Sequence, residues 1–267
     1  MAGAGLQEYL DFAVQTAWEA GRLTLGYFRT AIETETKADA TPVTIADRRA
    51  EECIRRRIEA RYPGHRIVGE EYGERAAGAG APCWWVDPID GTRSFIRGVP
   101  LYGVLLGLEL EGRIAVGAAY FPALDEMLCA AENLGCFLNG RRCRVSQAAA
   151  LGAATVCYTN AASFAGAGRE EAFRRILARA AYSAGWSDAY GHALVATGRA
   201  ELMLDPVMKP YDCGPFPVIL REAGGFFGDW AGRETIHGGE ALSTSRALLP
   251  EVLAVLRGGP QPKGEPS

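Results

Sequence analysis

The chain has 267 residues, 48% of them hydrophobic, enough to bury one large core or two smaller ones. Its formal net charge is −4 and its positive charge is nearly all arginine, with lysine only at Lys37, Lys209 and Lys263, which argues against a protein dominated by nucleic-acid binding. The seven cysteines have no CxxC spacing and read as buried, reduced thiols of a cytoplasmic protein; no signal peptide or membrane-spanning run is evident.

In chain order, Leu6, Leu10, Val14, Ala17, Leu23, Leu25 and Phe28 predict an amphipathic helix over 6–29. A polar connector follows over 33–44. Thr44 is placed to cap a second helix that carries Asp47, Ala50, Ile54 and Ile58 towards Pro63. Residues 65–69 read as a short strand leading into Glu70-Glu71, and 73–82 as a Gly/Ala-rich surface loop. A buried strand over 83–86 runs into Asp87-Pro88-Ile89-Asp90-Gly91-Thr92. Segments 101–109 and 114–120 flank Glu111-Gly112, a hairpin signal, and 127–131 and 136–138 extend the same sheet. Residues 1–150 therefore read as two helices on a largely antiparallel sheet.

From 151 to 257 the pattern alternates. Strands are expected over 154–158, 201–204, 225–228 and 241–244, and helices over 169–181, 189–197, 214–223 and 248–256. The Gly/Pro-rich tail over 258–267 reads as disordered. The fold class is mixed α/β (α+β), in an N-terminal half 1–150 and a C-terminal half 151–257.

Asp87 and Asp90, with the Ile89 carbonyl between them, offer three oxygens suited to Mg²⁺ or Mn²⁺. The backbone N–H groups of Gly91 and Thr92 would hold a phosphate. A bare DxxD is more often a solvated turn. The longer string D-P-I-D-G-T-x-x-F after an apolar strand reverses that reading. Glu70, just past a strand end, can bridge metals or orient a metal-bound water, although paired glutamates are ordinarily just exposed. Asp212 reads at least as a helix cap, and Asp47 as an acid in a first helical turn. His65, His192 and His237 are scattered and read as surface or packing residues. Ser94 and Ser187 lack a G-x-S-x-G setting, and no Walker A sequence occurs.

Taken in order, Thr41-Pro42-Val43-Thr44-Ile45-Ala46-Asp47, Gly69-Glu70-Glu71, Asp87-Pro88-Ile89-Asp90-Gly91-Thr92, and Asp212 followed by Glu222-Ala223-Gly224-Gly225 resemble the inositol monophosphatase superfamily over roughly 6–256. The resemblance implies a layered α-β-α-β-α sandwich of the inositol monophosphatase and fructose-1,6-bisphosphatase type. It implies a Mg²⁺-dependent, lithium-sensitive phosphatase, a homodimer that needs neither nucleic acid nor membrane as partner. By position, Glu70, Asp87, the Ile89 carbonyl, Asp90 and Asp212 would hold two or three Mg²⁺ ions, with Mn²⁺ as a substitute. Asp47 and Thr92, beside Glu70, would act on the attacking water.

Arg93-Ser94, Trp186-Ser187-Asp188-Ala189-Tyr190-Gly191 and Asp205-Pro206-Val207-Met208-Lys209-Pro210 resemble the histidinol-phosphatase branch. Arg93, Ser94, Asp188 and Asp205 would then face the organic part of the substrate. Two acids suit a cationic group such as the amine and imidazole of histidinol phosphate. Inositol-1-phosphate, fructose 1,6-bisphosphate and 3′-phosphoadenosine nucleotides are the alternative substrates, and a non-catalytic metal-binding scaffold the alternative class. One departure stands out. The family usually has Trp-Asp before small residues, whereas Tyr211-Asp212-Cys213-Gly214-Pro215-Phe216-Pro217 here puts two prolines where the next helix should start.

Overall fold

The computed structural model describes residues 2–38, 41–186 and 188–258, so the tail expected to be disordered lies, from 259 on, outside the described residues. The first apolar stripe builds α1 (Ala2–Leu25). Its fully buried Ala13, Ala17 and Ala20 let it lie close on the sheet beneath. The connector after it holds a small hairpin, β1 (Thr34–Thr36) and β2 (Pro42–Thr44), where an irregular segment was expected. Thr44 then caps α2 (Ile45–Arg61). Its hydroxyl accepts from the Ala46 N–H, and Asp47 accepts from the Thr44 N–H at 2.8 Å, a reciprocal capping box.

The first sheet contains β3 (Arg66–Gly69), β4 (Gly73–Arg75), β5 (Cys83–Asp90), β6 (Gly103–Leu110), β7 (Arg113–Phe121), β8 (Glu126–Ala131), β9 (Gly135–Leu138) and β10 (Arg141–Arg142), with the short α3 (Thr92–Ile96) after β5. Its order is β10-β9-β8-β7-β6-β5-β3-β4. Among the described pairings in this sheet only β3–β5 is parallel. That one parallel pair sets Gly69 beside Val86, so the residues that leave both strand ends, Glu70 and Asp87, are neighbours. Two expectations change here. The segment expected to be a loop over 73–82 opens with β4. The acidic motif is the end of β5 rather than a turn beyond it, and the ladder with β6 slips between Asp87 and Asp90. Pro88 cannot donate to that ladder, which accounts for an irregularity at this point.

The second half continues through a 3₁₀ turn (Leu151–Ala153), β11 (Thr155–Tyr158), α4 (Ala161–Gly166), α5 (Glu170–Leu177), β12 (Tyr182–Ala184) and α6 (Asp188–Ala196). It ends with β13 (Leu202–Asp205), α7 (Pro210–Cys213), α8 (Phe216–Glu222), β14 (Gly225–Gly228), β15 (Ala241–Ser245) and α9 (Leu249–Leu256). The sheet order is β12-β11-β13-β15-β14, parallel over the first three strands and antiparallel over the rest. The helix expected over 169–181 stops at Leu177, and a turn over 178–181 leads into β12.

Five layers result. α1 and α2 close one face of the first sheet over Ile54, Ile58, Trp84 and Leu106. α6 and α8 lie between the two sheets, around Leu105, Phe121, Phe216 and Phe227. α5 and α9 cover the far face of the second sheet over Phe173 and Val252. Among the described residues no helix is long and apolar enough to cross a membrane.

The two prolines after Asp212 are accommodated by a break. The helix expected over 214–223 forms as α8, starting two residues late, and a separate short turn of helix, α7, precedes it. Pro215 becomes the residue that starts α8, and Pro217 falls in its first turn, where a missing N–H costs nothing. This junction presses directly on the first sheet. A Cβ on Gly107 would lie 2.2 Å from the Gly214 carbonyl oxygen, and one on Gly117 2.4 Å from that of Pro215. Backbone cannot yield as a side chain tip can. Gly107→Ala is therefore expected to push α7 outward and cost about 3 kcal/mol, read as a lowered unfolding midpoint. Gly152→Ala, whose Cβ meets nothing within 4 Å, should leave the midpoint nearly unchanged.

Candidate active site

A cleft of about 460 Å³ opens where the ends of β3 and β5 meet the starts of α3, α6 and α7, and Glu70, Asp87, Asp90, Thr92, Asp188 and Asp212 line it. Each carboxylate on its floor is aimed by a backbone donor. Asp87 accepts from the Ile89 N–H at 3.0 Å, Asp90 from the Ala189 N–H at 2.6 Å, and Asp212 from the Lys209 N–H at 2.8 Å. One oxygen from each of Asp87, Asp90 and Asp212 lies within 4.8 Å of the others. Burial, reinforced by the neighbouring carboxylates, pushes Asp87 and Asp90 well above the usual carboxyl range. Burial does the same to Asp212, up to about 7. Three acids so crowded favour either protons or a multivalent cation, and hard oxygen donors at this spacing fit a divalent metal ion.

Glu70 stands beside this group, its carboxylate 2.7 Å from Lys37 Nζ, which also lies 2.5 Å from Glu71. The turn that carries both glutamates is pinned from α2. Glu51, with no exposed surface, accepts from the N–H groups of Glu71 at 2.7 Å and Tyr72 at 3.2 Å and pairs with Arg55 at 2.7 Å. Across the cleft, Thr92 Oγ1 is 3.2 Å from Asp47 Oδ1 and 3.1 Å from the Ile89 carbonyl, so two acceptors compete for one proton. The other Asp47 oxygen takes both the N–H (2.8 Å) and the hydroxyl (2.6 Å) of Thr44, and burial raises this carboxyl too. Gly91 opens α3 at φ 82°, a left-handed conformation that suits glycine. Arg93 and Ser94 line the cleft on the same side.

The opposite wall comes from the second half. Asp188 opens α6 at φ 55°, and its N–H donates to Thr159 Oγ1 at 2.9 Å. Asp205 corrects the sequence reading. It ends β13 behind the wall, 3% exposed, with one oxygen 2.5 Å from Thr159 Oγ1 and the other 3.1 Å from His192 Nε2. The cleft at this place is lined by Thr159 and Asn160 instead. His192 is itself fully buried, its Nδ1 2.7 Å from Ser243 Oγ. So Asp47, Glu70, Asp87, Ile89, Asp90, Gly91, Thr92, Arg93, Ser94, Asp188 and Asp212 come together, and Asp205 supports them from outside. Sequence reasoning missed Glu51, Thr159 and Asn160. Glu51 carried a signal: with Asp47, Ile54 and Ile58 it falls on the buried stripe of α2, where an acid needs a partner. Thr159 and Asn160 carried none.

Residues 5–258 match the model of the inositol monophosphatase family. The chain belongs to that family. Among its relatives, the histidinol-phosphatase of Chlorobaculum parvum is 43% identical over 252 residues, which span 94% of this chain and 97% of that one. The histidinol-phosphatase of Mycobacterium tuberculosis is 34% identical over 84% of this chain and 88% of its own. Among solved structures, the extragenic suppressor protein suhB of Bartonella henselae superposes with a TM-score of 0.88 at 27% identity, covering 95% of this chain and 100% of that one. The inositol monophosphatase of Anabaena gives 0.84 at 27% identity, covering 96% and 98%. The protein is thus a phosphatase that hydrolyses phosphate monoesters, of a metal-dependent family with the layered sandwich fold.

The raised carboxyls give a pH test. Asp212 titrates near 7 in the folded chain against an ordinary value of 3.8, so between these values the folded form keeps a proton that the unfolded form has lost. Its contribution to stability therefore falls as pH rises through that window. A cation needs the ionised form. The rise in unfolding midpoint on adding a divalent cation should be small at about pH 5 and largest near pH 8. Scanning fluorimetry with the cation or with a chelator measures it, and Asp212→Asn should abolish most of the rise.

Proposed function

We propose that this enzyme is a Mg²⁺-dependent phosphatase acting on histidinol phosphate. What carries the reading is the carboxylate trio, Asp87, Asp90 and Asp212, at the floor of a cleft whose far wall presents a further acid, Asp188. Asp87, the Ile89 carbonyl, Asp90, Asp212 and Glu70 are the residues that would hold the ions. When bound, Mg²⁺ supplies positive charge to the phosphoryl and leaving oxygens and makes water a better nucleophile at neutral pH.

The chain's own groups do the rest. Thr92 and Asp47 form a relay placed to take a proton from water: the hydroxyl accepts it while passing its own to Asp47, 3.2 Å away. Burial keeps Asp47 basic enough for that task, and Thr44 holds it still. The N–H groups at the start of α3, at Gly91 and Thr92, point the phosphate. The cationic part of the substrate lies towards Asp188, with Arg93 and Ser94 at the cleft mouth. The name of the Chlorobaculum parvum relative supports this substrate. A second reading, inositol-1-phosphate, is favoured by relatives named inositol monophosphatase at 32% identity. The free cysteines fit a reducing compartment such as the cytoplasm.

Two experiments follow. Phosphate release from histidinol phosphate and inositol-1-phosphate, side by side with Mg²⁺, should favour the first by at least about 100-fold in kcat/KM. Parity or reversal would sink the substrate assignment while leaving the phosphatase intact. Asp90→Asn and Thr92→Val should each cost about 10³-fold in kcat at saturating Mg²⁺. Turnover within about tenfold of the parent would refute their roles.

A further inference from the structure

The geometry points to a second chemical feature, remote from the cleft: Cys136 and Cys143 are a dithiol that closes to a reversible disulfide when the enzyme meets a hydroperoxide. Asn139 and Gly140 join β9 to β10 with φ of 47° and 74°, the left-handed pair of a two-residue type I′ hairpin turn. Leu138 pairs with Arg141 and Phe137 with Arg142, so the next residues out, Cys136 and Cys143, face each other. The Cys143 N–H donates to the Cys136 carbonyl at 3.0 Å. Residues in such a hydrogen-bonded antiparallel pair have Cα atoms about 5.5 Å apart, which is the separation a disulfide takes. The sulfurs are already 3.3 Å apart.

The two thiols are not equivalent. Cys136 is fully buried, whereas Cys143 is part-exposed and open to a small oxidant. The hydrogen bond with Cys136, helped by the Arg199 guanidinium, outweighs the opposing effect of burial and holds Cys143 below the ordinary thiol range. Cys143 is therefore the nucleophile. Its thiolate attacks the peroxide O–O bond, forming a sulfenic acid and releasing the leaving oxygen as water or alcohol after protonation. The Cys136 thiol then attacks the sulfenic sulfur, forms the S–S bond and releases water. Two thiols and one hydroperoxide become one disulfide, one water and one further water or alcohol.

The sheet restricts the choice of partner. Cys129 is near in sequence, but it pairs with Phe137 on β9, one position out of step with Cys136, which pairs with Ala130. Alternate residues of a strand face opposite ways. Cys129 accordingly packs in the core beneath α1 and α2, and Cys136 and Cys143 in the core that holds α8. The link would also tie a seam. Two residues after Cys143 the chain leaves the first sheet, and the Val145 N–H donates to the Ala223 carbonyl past the end of α8 at 3.1 Å.

The test treats the full-length enzyme with millimolar hydrogen peroxide, alkylates the remaining thiols and maps peptides without reduction. Expected is one cross-link, Cys136 to Cys143, reversed by dithiothreitol. A rise of about 5 °C in unfolding midpoint should accompany it, with turnover at the untreated level. Cys143→Ser should show neither the link nor the rise, and because this position is part-exposed the variant tests the idea even where Cys136→Ser fails to fold. Recovery of both thiols in alkylated form would overturn the proposal. So would their conversion to sulfinic acid in place of a link, or a cross-link between other cysteines.

Discussion

Like charges resist being brought together out of water, and this protein brings them together deliberately. Asp87, Asp90 and Asp212 converge within 4.8 Å, and the carboxyls are held far from their ordinary titration range by burial and by one another. Such a cluster does not assemble by itself; each member has to be forced into place by stronger local geometry. The parallel pairing of β3 with β5 supplies Glu70 next to Asp87. The slip in the β5–β6 ladder separates Asp87 from Asp90. The contact of α7 and α8 with Gly107 and Gly117 brings Asp212 up from the other half of the chain. Much of the architecture can be understood as the frame that holds this repulsion in check.

The frame was legible where the determinants are local. The Thr44 cap, the stripe of α2, the hairpins of the first sheet and the Asp-Pro-Ile-Asp-Gly-Thr string are set by residues within a few positions of one another, and the sequence states them. The carboxylate cluster was legible because its motifs, taken together in order, specify the inositol monophosphatase family. What was not legible depends on distant partners. Asp205 has the same local appearance as Asp188, each an acid at the edge of an element. Only the approach of Thr159 and His192 from other elements turns Asp205 inward. The break between α7 and α8 likewise needs the sheet as an anvil. The prolines announce a difficulty, and the two glycines opposite show how it is resolved.

The support around the cleft is unequal on its two sides. On the side of α3, the Thr44 N–H and hydroxyl and the tight turn at Gly91 fix Asp47 and Thr92 through short-range, largely backbone geometry. On the far side, a chain of side chains, Ser243 to His192 to Asp205 to Thr159, holds the start of α6. Backbone-fixed groups suit the chemistry shared by phosphate esters. A wall held by side chains is easier to remodel, which suits a family whose members act on different organic groups.

The start of α6 has one more consequence. Asp188 faces the cleft, and the very next residue, Ala189, gives its N–H to Asp90. Whatever grips Asp188 therefore pulls on a helical turn that also aims a carboxylate of the acidic cluster. Contact of Asp188 with the non-reacting end of a substrate would in this way be converted into alignment at the reacting end. An ester that carries the phosphate but lacks the remote group would then bind and still turn over slowly, its missing contact felt in the rate of the chemical step as well as in affinity.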